Sequence, residues 1–231
     1  MLRLQLVASI PVRYADDVLK VYSCCTDVDF IELRVDYSDD PLSINYSLIK
    51  NSKIIVTLRD VQEGGVKKHS DEIKLSLLNK LVELGIMYDV EMRFVKKYGV
   101  DYRNKIVSIH ILNPYSIDLK SVKKDVESFI DKAFVVKVAT KPFPGYRTFL
   151  MELLELSNNV AVMPIGSSPI ERIAFALLGS KLLYCYISTP TASGQPKCDE
   201  IKQILAEFKR LRLDDEPPPH LSGVDDRREL R

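Results

Sequence analysis

The amino-acid sequence predicts a (β/α)8 barrel, an α/β fold in which eight parallel strands alternate with helices. Three observations support it. Eight short strand-like runs are spread over 231 residues, helical patterns follow most of them, and the composition keeps one character up to about residue 212. Residues 1–212 are therefore expected to form one barrel domain, and 213–231, LDDEPPPHLSGVDDRRELR, a mobile polar tail. An open doubly wound sheet is the competing architecture, but it lacks its fingerprint: LVAS is followed by IPVRYADD, not by GxGxxG.

Along the chain, RLQLVAS (3–9) is the first strand. VDFIELRVD (28–36) is the second, with Ile31, Leu33 and Val35 on one face and Glu32, Arg34 and Asp36 on the other, because successive strand residues point to opposite sides. KIIVTLR (53–59) sets Ile54, Val56 and Leu58 against Ile55, Thr57 and Arg59, and leads to the clearest helical pattern, SDEIKLSLLNKLVEL (70–84). IMYDVEM (86–92) opposes Tyr88, Val90 and Met92 to Asp89 and Glu91. KIVSIHIL (105–112) opposes Val107, Ile109 and Ile111 to Ser108 and His110, and a helical pattern covers 116–132. AFVVKVA (133–139) places Phe134, Val136 and Val138 opposite Val135 and Lys137, ahead of a helix over 147–157. VAVMP (160–164) and LLYCYI (182–187) complete the set, followed by helices over 169–178 and 199–210.

One face of each strand is apolar, and the other turns polar toward the strand's C-terminal end. In a barrel the helices cover the outside, so the apolar face points outward and the polar residues converge inside, near the end that carries active sites. A barrel built for stability alone fills its interior with Val, Ile and Leu. Five strands that depart from this in the same way argue for a polar pocket.

Charge and composition remove several function classes. The formal net charge is +1, from 33 basic and 32 acidic residues, so no global field draws the chain to nucleic acid or an anionic membrane. The apolar run in MLRLQLVASIPVRYADD is too short and polar for a signal peptide or membrane span, which fits a soluble cytoplasmic protein. Cys24, Cys25, Cys185 and Cys198 form no CxxC pair and are read as buried free thiols. With only His69, His110 and His220 present, a histidine-rich metal site is not expected, and the chemistry is read as metal-free.

Lys137 is the residue that asks for a chemical explanation, because fully buried lysines are rare. At pH 7 only roughly 4 in 10,000 free lysines carry the neutral, nucleophilic amine. An apolar strand and nearby cations such as Arg34 or Arg59 would lower that pKa, which is how a Schiff-base lysine is activated. A salt bridge from Lys137 to Glu32 or Glu91 is the structural alternative. Glu32 with Arg34 fits a structural ion pair, and His110 alone fits a core histidine. Together, a lysine and a histidine facing one pocket suit imine formation followed by proton removal α to the imine. Glu63, in the loop RDVQEGG, is placed to orient the imidazole, and Gly64 and Gly65 allow that loop to bend close.

On the other side of the barrel, GSSPIERIAFALLGS opens a helix with Ser168 as N-cap, Pro169 next and Glu171 closing a capping box. Arg172 then falls in the first turn, where the helix dipole disfavours a cation unless it meets an anion or a local acid. The stretch TPTASGQPK has the make-up of a mobile lid.

The segments IELRVD, TLRDVQEGG, SIH, VVKVAT, ERIAFALLGS and TASGQ, in this order, resemble type I 3-dehydroquinate dehydratase of the shikimate pathway, from strand one to about residue 197. The resemblance implies a TIM barrel without metal or cofactor, usually a homodimer, acting on the small molecule 3-dehydroquinate. It implies that Lys137 forms the Schiff base, that His110 is general base and acid, and that Glu63 positions His110. Glu32, Arg34 and Arg59 would hold substrate hydroxyls, Arg172 the carboxylate, and Gln195 and Thr191 would act from the lid, with Ser9 a further contact. The family's lid typically reads SAPGQ; Ser193 here replaces the proline, which should leave the free lid looser. A class I aldolase and a non-catalytic barrel that binds a carboxylate are the rival readings.

Overall fold

The computed structural model describes residues 4–20, 27–49 and 53–213. Most of the tail (214–231), and Cys24 and Cys25, lie outside the described residues. β1 (Gln5–Pro11) pairs in parallel with β2 (Phe30–Arg34) on one side and β8 (Leu182–Tyr186) on the other. From β2 the parallel ladder runs through β3 (Ile54–Thr57), β4 (Met87–Glu91), β5 (Ile106–Ile111) and β6 (Val135–Thr140) to β7 (Val160–Pro164). Eight parallel strands thus form a nearly closed barrel. At the seam between β7 and β8, the Lys181 N–H donates to the Val160 carbonyl (3.0 Å), and the buried Ser180 hydroxyl accepts from the Val162 N–H at 2.9 Å.

Parallel neighbours need crossovers, and helices supply most of them. The crossover helices are α1 (Asp71–Glu83), α2 (Met92–Tyr98), α3 (Leu119–Phe129), α4 (Tyr146–Leu154) and α5 (Pro169–Leu177), and α6 (Cys198–Leu213) follows β8. α2 has no counterpart among the helices expected from sequence. It is seven residues long, too short for a periodic pattern to stand out, and stops where Gly99 adopts a left-handed conformation (φ 64°). The second strand is shorter than expected, because Val35–Tyr37 turns into a 3-10 helix that carries Asp36 beside Arg34.

The parity reading holds along the strands and is corrected at Phe134, which precedes β6 (Val135–Thr140) and packs against the interior residue Phe30 rather than outward with Val136 and Val138. Ile31, Leu33, Ile54, Val56, Tyr88, Val90, Val107, Val136 and Val138 lie in the large core between strands and helices. Val7, Phe30, Ile55, Ile106, Val135 and Leu182 fill the barrel interior as a separate apolar plug. Each such side chain removed from water contributes roughly 1.5–3 kcal/mol, so the plug is a firm floor on which polar groups can be mounted.

The cysteine expectation is corrected. Cys185, on β8, and Cys198, at the start of α6, form a disulfide with their Cα atoms 4.9 Å apart. The chain leaves β8, loops over the barrel mouth and returns so that Tyr186 and Lys197 pair as a parallel bridge, which brings the two neighbouring cysteines together. No sequence spacing announces that return.

Replacing Ser180 by alanine would leave the buried Val162 N–H unsatisfied at the seam. Ser180→Ala is expected to lower stability by about 1–3 kcal/mol in urea or thermal unfolding, and no measurable change would show that the seam does not depend on it.

Candidate active site

Above the apolar plug, the inward positions change character within one pleat. Glu32, Thr57, Asp89, Ser108 and Lys137 are all buried there, each two residues along its strand from a member of the plug or of its packed rim. Lys137 Nζ contacts Asp89 Oδ2 at 2.5 Å and lies 4.5 Å from the centre of the Tyr184 ring. The other oxygen of Asp89 accepts from Ser108 Oγ (2.5 Å) and from Arg59 Nη2 (2.8 Å). Burial alone would raise the Asp89 carboxyl, but the charges of Arg59 and Lys137 overcome it and hold the group well below the usual carboxylate range. The partner of Lys137 is therefore Asp89, not Glu32 or Glu91. Arg59 reaches Lys137 only through that shared carboxylate, so the expected apolar, cation-flanked lysine is corrected to a buried ion pair.

His110 follows Ser108 by one pleat on β5, and Ser108 is the residue that pairs in register with Lys137. Its Nδ1 lies 3.1 Å from Glu63 Oε2, and the same oxygen accepts from its backbone N–H at 2.8 Å. Burial, reinforced by the charges of Arg59 and Lys137, holds the imidazole well below 6.5, so it is neutral at working pH. Burial and the charge of Glu91 push the Glu63 carboxyl up to about 7, against the pull of Arg59. Glu63 is carried by the loop that follows β3. There Asp60 caps a 3-10 turn, Gly64 takes φ 91°, and a Cβ on Gly65 would fall 2.0 Å from the Arg59 carbonyl oxygen. That close approach explains why a glycine is required at 65.

On β2, Glu32 accepts from Ser9 Oγ (2.5 Å) and Thr57 Oγ1 (2.8 Å). Arg34 is gripped by both oxygens of Asp36, at 2.7 and 2.8 Å, and donates to the Thr191 carbonyl at 3.3 Å. The Glu32–Arg34 ion pair considered from sequence is replaced by Arg34–Asp36, a bidentate pair that fixes the guanidinium plane.

Arg172 is buried at the start of α5, and its recorded partners are carbonyls: Nε donates to Pro164 O (2.9 Å) and Nη2 to Ser193 O (2.7 Å). With no carboxylate partner among the described residues, burial pulls this guanidinium down to about 10. The capping box expected here is absent. Ser168 occupies the N-cap position without a side-chain bond, and the Glu171 carboxylate is held instead by Tyr146 Oη and Arg147 Nε (2.8 Å) on α4.

The lid loop is folded over the mouth. Gln195 holds it from within: Oε1 accepts from Thr191 N (2.9 Å) and Ala192 N (3.3 Å), and Nε2 donates to Cys185 O (2.9 Å). Thr191 Oγ1 meets Ser9 Oγ at 2.7 Å. Gly194 has φ 74°, and a Cβ there would fall 2.4 Å from Ser167 O. Beneath the lid remains a cavity of about 50 Å³, whose wall includes Glu32, Arg34, Arg59, His110, Lys137, Arg172, Thr191 and Gln195. Ser9 and Glu63 stand behind that wall. A space of this size holds a few water molecules, so the lid must lift before an organic ligand enters.

Sequence reading listed Asp89 among the inward residues but gave it no task, and it did not single out Tyr184, Met163 or Ile165, which also line the cavity. Parity signals Asp89. What parity lacks is the stagger between strands, which decides which inward acid reaches which inward lysine.

The arrangement offers a buried amine on a carboxylate, a neutral imidazole and an anion-seeking arginine around one cavity, which suits Schiff-base and proton-transfer chemistry. Comparison with known proteins gives the family. The sequence model of the family described as Type I 3-dehydroquinase matches residues 7–133. The 3-dehydroquinate dehydratase of Saccharolobus solfataricus is 42% identical over 206 residues, covering 87% of this chain and 92% of that protein. That of Metallosphaera sedula is 39% identical over 200 residues, covering 87% and 96%. Among solved structures, the 3-dehydroquinate dehydratase of Geobacillus kaustophilus superposes with a TM-score of 0.68 at 19% identity, covering 90% of this chain and 92% of that one, and supports the fold. On the strength of the family match and of relatives this similar over most of their length, the chain belongs to the type I 3-dehydroquinase family.

Proposed function

We propose that this chain is a 3-dehydroquinate dehydratase, a hydro-lyase that converts 3-dehydroquinate to 3-dehydroshikimate through a Schiff base on Lys137, the third step toward chorismate. The observation that carries the reading is that Lys137, seated on Asp89, shares one cavity with the neutral imidazole of His110. Support also comes from Arg172, a buried guanidinium whose carbonyl partners leave its charge uncompensated, as a clamp for the substrate carboxylate would require.

In this reading the lid opens, the substrate carboxylate takes the place of the Ser193 carbonyl on Arg172, and Arg34, Arg59 and Glu32 hold the ring hydroxyls. Neutral His110 takes a proton from the Lys137 ammonium, the freed amine attacks the C3 ketone, and His110 returns that proton to the carbinolamine hydroxyl, which leaves as water, so that a protonated imine forms where the ammonium had been. Asp89 remains ionised and faces that positive charge throughout. His110 removes the C2 proton, the imine takes up the electron pair, and the C1 hydroxyl leaves as water with the proton that His110 returns. A second water hydrolyses the imine and frees Lys137. Glu63 keeps the imidazole in the tautomer that leaves its outer nitrogen free to act as base.

Lys137→Ala is expected to abolish turnover of dehydroquinate, and His110→Ala to lower kcat by about 100- to 10,000-fold while still allowing imine formation. Unimpaired turnover in either variant contradicts the assignment. kcat/KM should fall as pH drops through about 7, where the Glu63 carboxylate protonates. The same shift has a stability consequence of opposite sign. A carboxyl raised from 4.5 to about 7 by folding destabilises the protein as pH rises between those values. Glu63→Gln should therefore be up to about 3 kcal/mol more stable than the parent at pH 8, yet slower, which unfolding curves and initial rates would check together.

A further inference from the structure

Lys74 is a buried lysine that the proposed reaction does not use. It occupies the barrel-facing stripe of α1 with Leu77, Leu78 and Leu81, at the i, i+3, i+4, i+7 spacing of an apolar face. Its ammonium is buried against the C-terminal ends of β3 and β4 rather than extended into solvent. Nζ donates to Leu58 O at 2.8 Å and to Glu91 Oε2, and stands 4.9 Å from the Phe94 ring centre. Glu91 Oε1 accepts from Arg59 Nη1 (3.1 Å) and from the Asp60 N–H (2.9 Å). The pair therefore grips the backbone on both sides of Arg59 and the guanidinium itself. From there Arg59 reaches Ser108 Oγ at 2.8 Å and Asp89 at 2.8 Å, and Asp89 meets Lys137.

An ion pair this deep adds little net stability over well-packed apolar groups of similar size, so stability does not explain its place. We propose that Lys74 and Glu91 are positioning residues: an ion pair reaching from α1 into the barrel seats Arg59 against Asp89 and sets the charge that Glu63 and His110 experience. The proposal rests on the reading of the site given above. Lys74 acts as a fixed counter-charge. Without it, Glu91 has Arg59 as its remaining cation and draws that guanidinium away from Asp89.

The charges around Glu63 make the proposal measurable. Glu63 faces Glu91 from β4, Arg59 from the end of β3, His110 from β5 and Arg93 from α2, whose Nε is 3.4 Å away, while Asp60 beside it is paired with Arg93. Glu91 faces Arg59, Lys74 and the Asp60 N–H. A negative Glu91 favours the protonated form of Glu63, and the Lys74 ammonium opposes it.

The test is the pH dependence of kcat/KM with 3-dehydroquinate for the parent, Lys74→Met, Lys74→Arg, Glu91→Gln and the double variant Lys74→Met/Glu91→Gln. Lys74→Met should lower kcat/KM about 10- to 100-fold, because Arg59 shifts. It should also move the acid limb of the kcat/KM profile upward by about half a pH unit or more, and Glu91→Gln should move it downward by a similar amount. The double variant should bring the limb back toward the parent, and Lys74→Arg should leave it in place. Rates that fall with the limb unmoved in both single variants, or limbs that move in the same direction, overturn the proposal. Should Lys74→Met not fold, Glu91→Gln and Lys74→Arg still decide by the same criterion. An active parent with unshifted limbs overturns this proposal alone; an inactive parent overturns the reading of the site and this proposal with it.

Discussion

The carboxylate of Asp89 is the constraint on which the rest of the site depends. It is buried, and it bonds Arg59, Ser108 and Lys137 at once. A carboxylate taken out of water is tolerated only where cations and donors replace the lost hydration, and removing one partner of such a group typically costs about 3–5 kcal/mol. Each partner is thereby fixed by the needs of the acid. Arg59 is held in one plane, Ser108 is oriented, and the lysine is delivered to one point of the cavity. The positive charges gathered for Asp89 also act on their neighbour: together with burial they keep His110 neutral. A single buried acid thus links the placement of the amine to the protonation state of the imidazole.

The mouth of the barrel follows a related logic. Arg34 and Arg172 are cations that line the cavity, and with the lid down both bond lid carbonyls, Thr191 O and Ser193 O. The lid is closed by the same groups that the proposed reaction would hand to substrate, so opening and substrate capture are exchanges of partners rather than separate events. Its hinge ends are joined by the Cys185–Cys198 disulfide, and Gln195 bonds the Cys185 carbonyl.

Much of this was legible in the sequence, for physical reasons. Strand periodicity has a period of two, so alternating apolar and polar residues report which side chains enter the barrel, and Glu32, Arg59, His110 and Lys137 are found on the inward side as parity requires. Glycines report backbone demand, and Gly65 and Gly194 fill places where a Cβ would collide with a carbonyl oxygen. Contacts between strands were less legible. The pairing of Lys137 with Asp89 depends on inter-strand stagger, and that of Arg34 with Asp36 on a 3-10 turn that ends β2 early. The disulfide depends on the path of a loop, and Lys74 was hidden because a helical stripe interrupted by one lysine reads as ordinary amphipathic noise.

The central claim is that the amine of Lys137 becomes covalently attached to the substrate. It is tested most directly by incubating the parent protein with 3-dehydroquinate, reducing with borohydride, and locating any adduct by intact mass and peptide mapping. One adduct per chain on the peptide containing Lys137 is expected. Full turnover with no trapped adduct, or an adduct confined to another lysine such as Lys74, would contradict it.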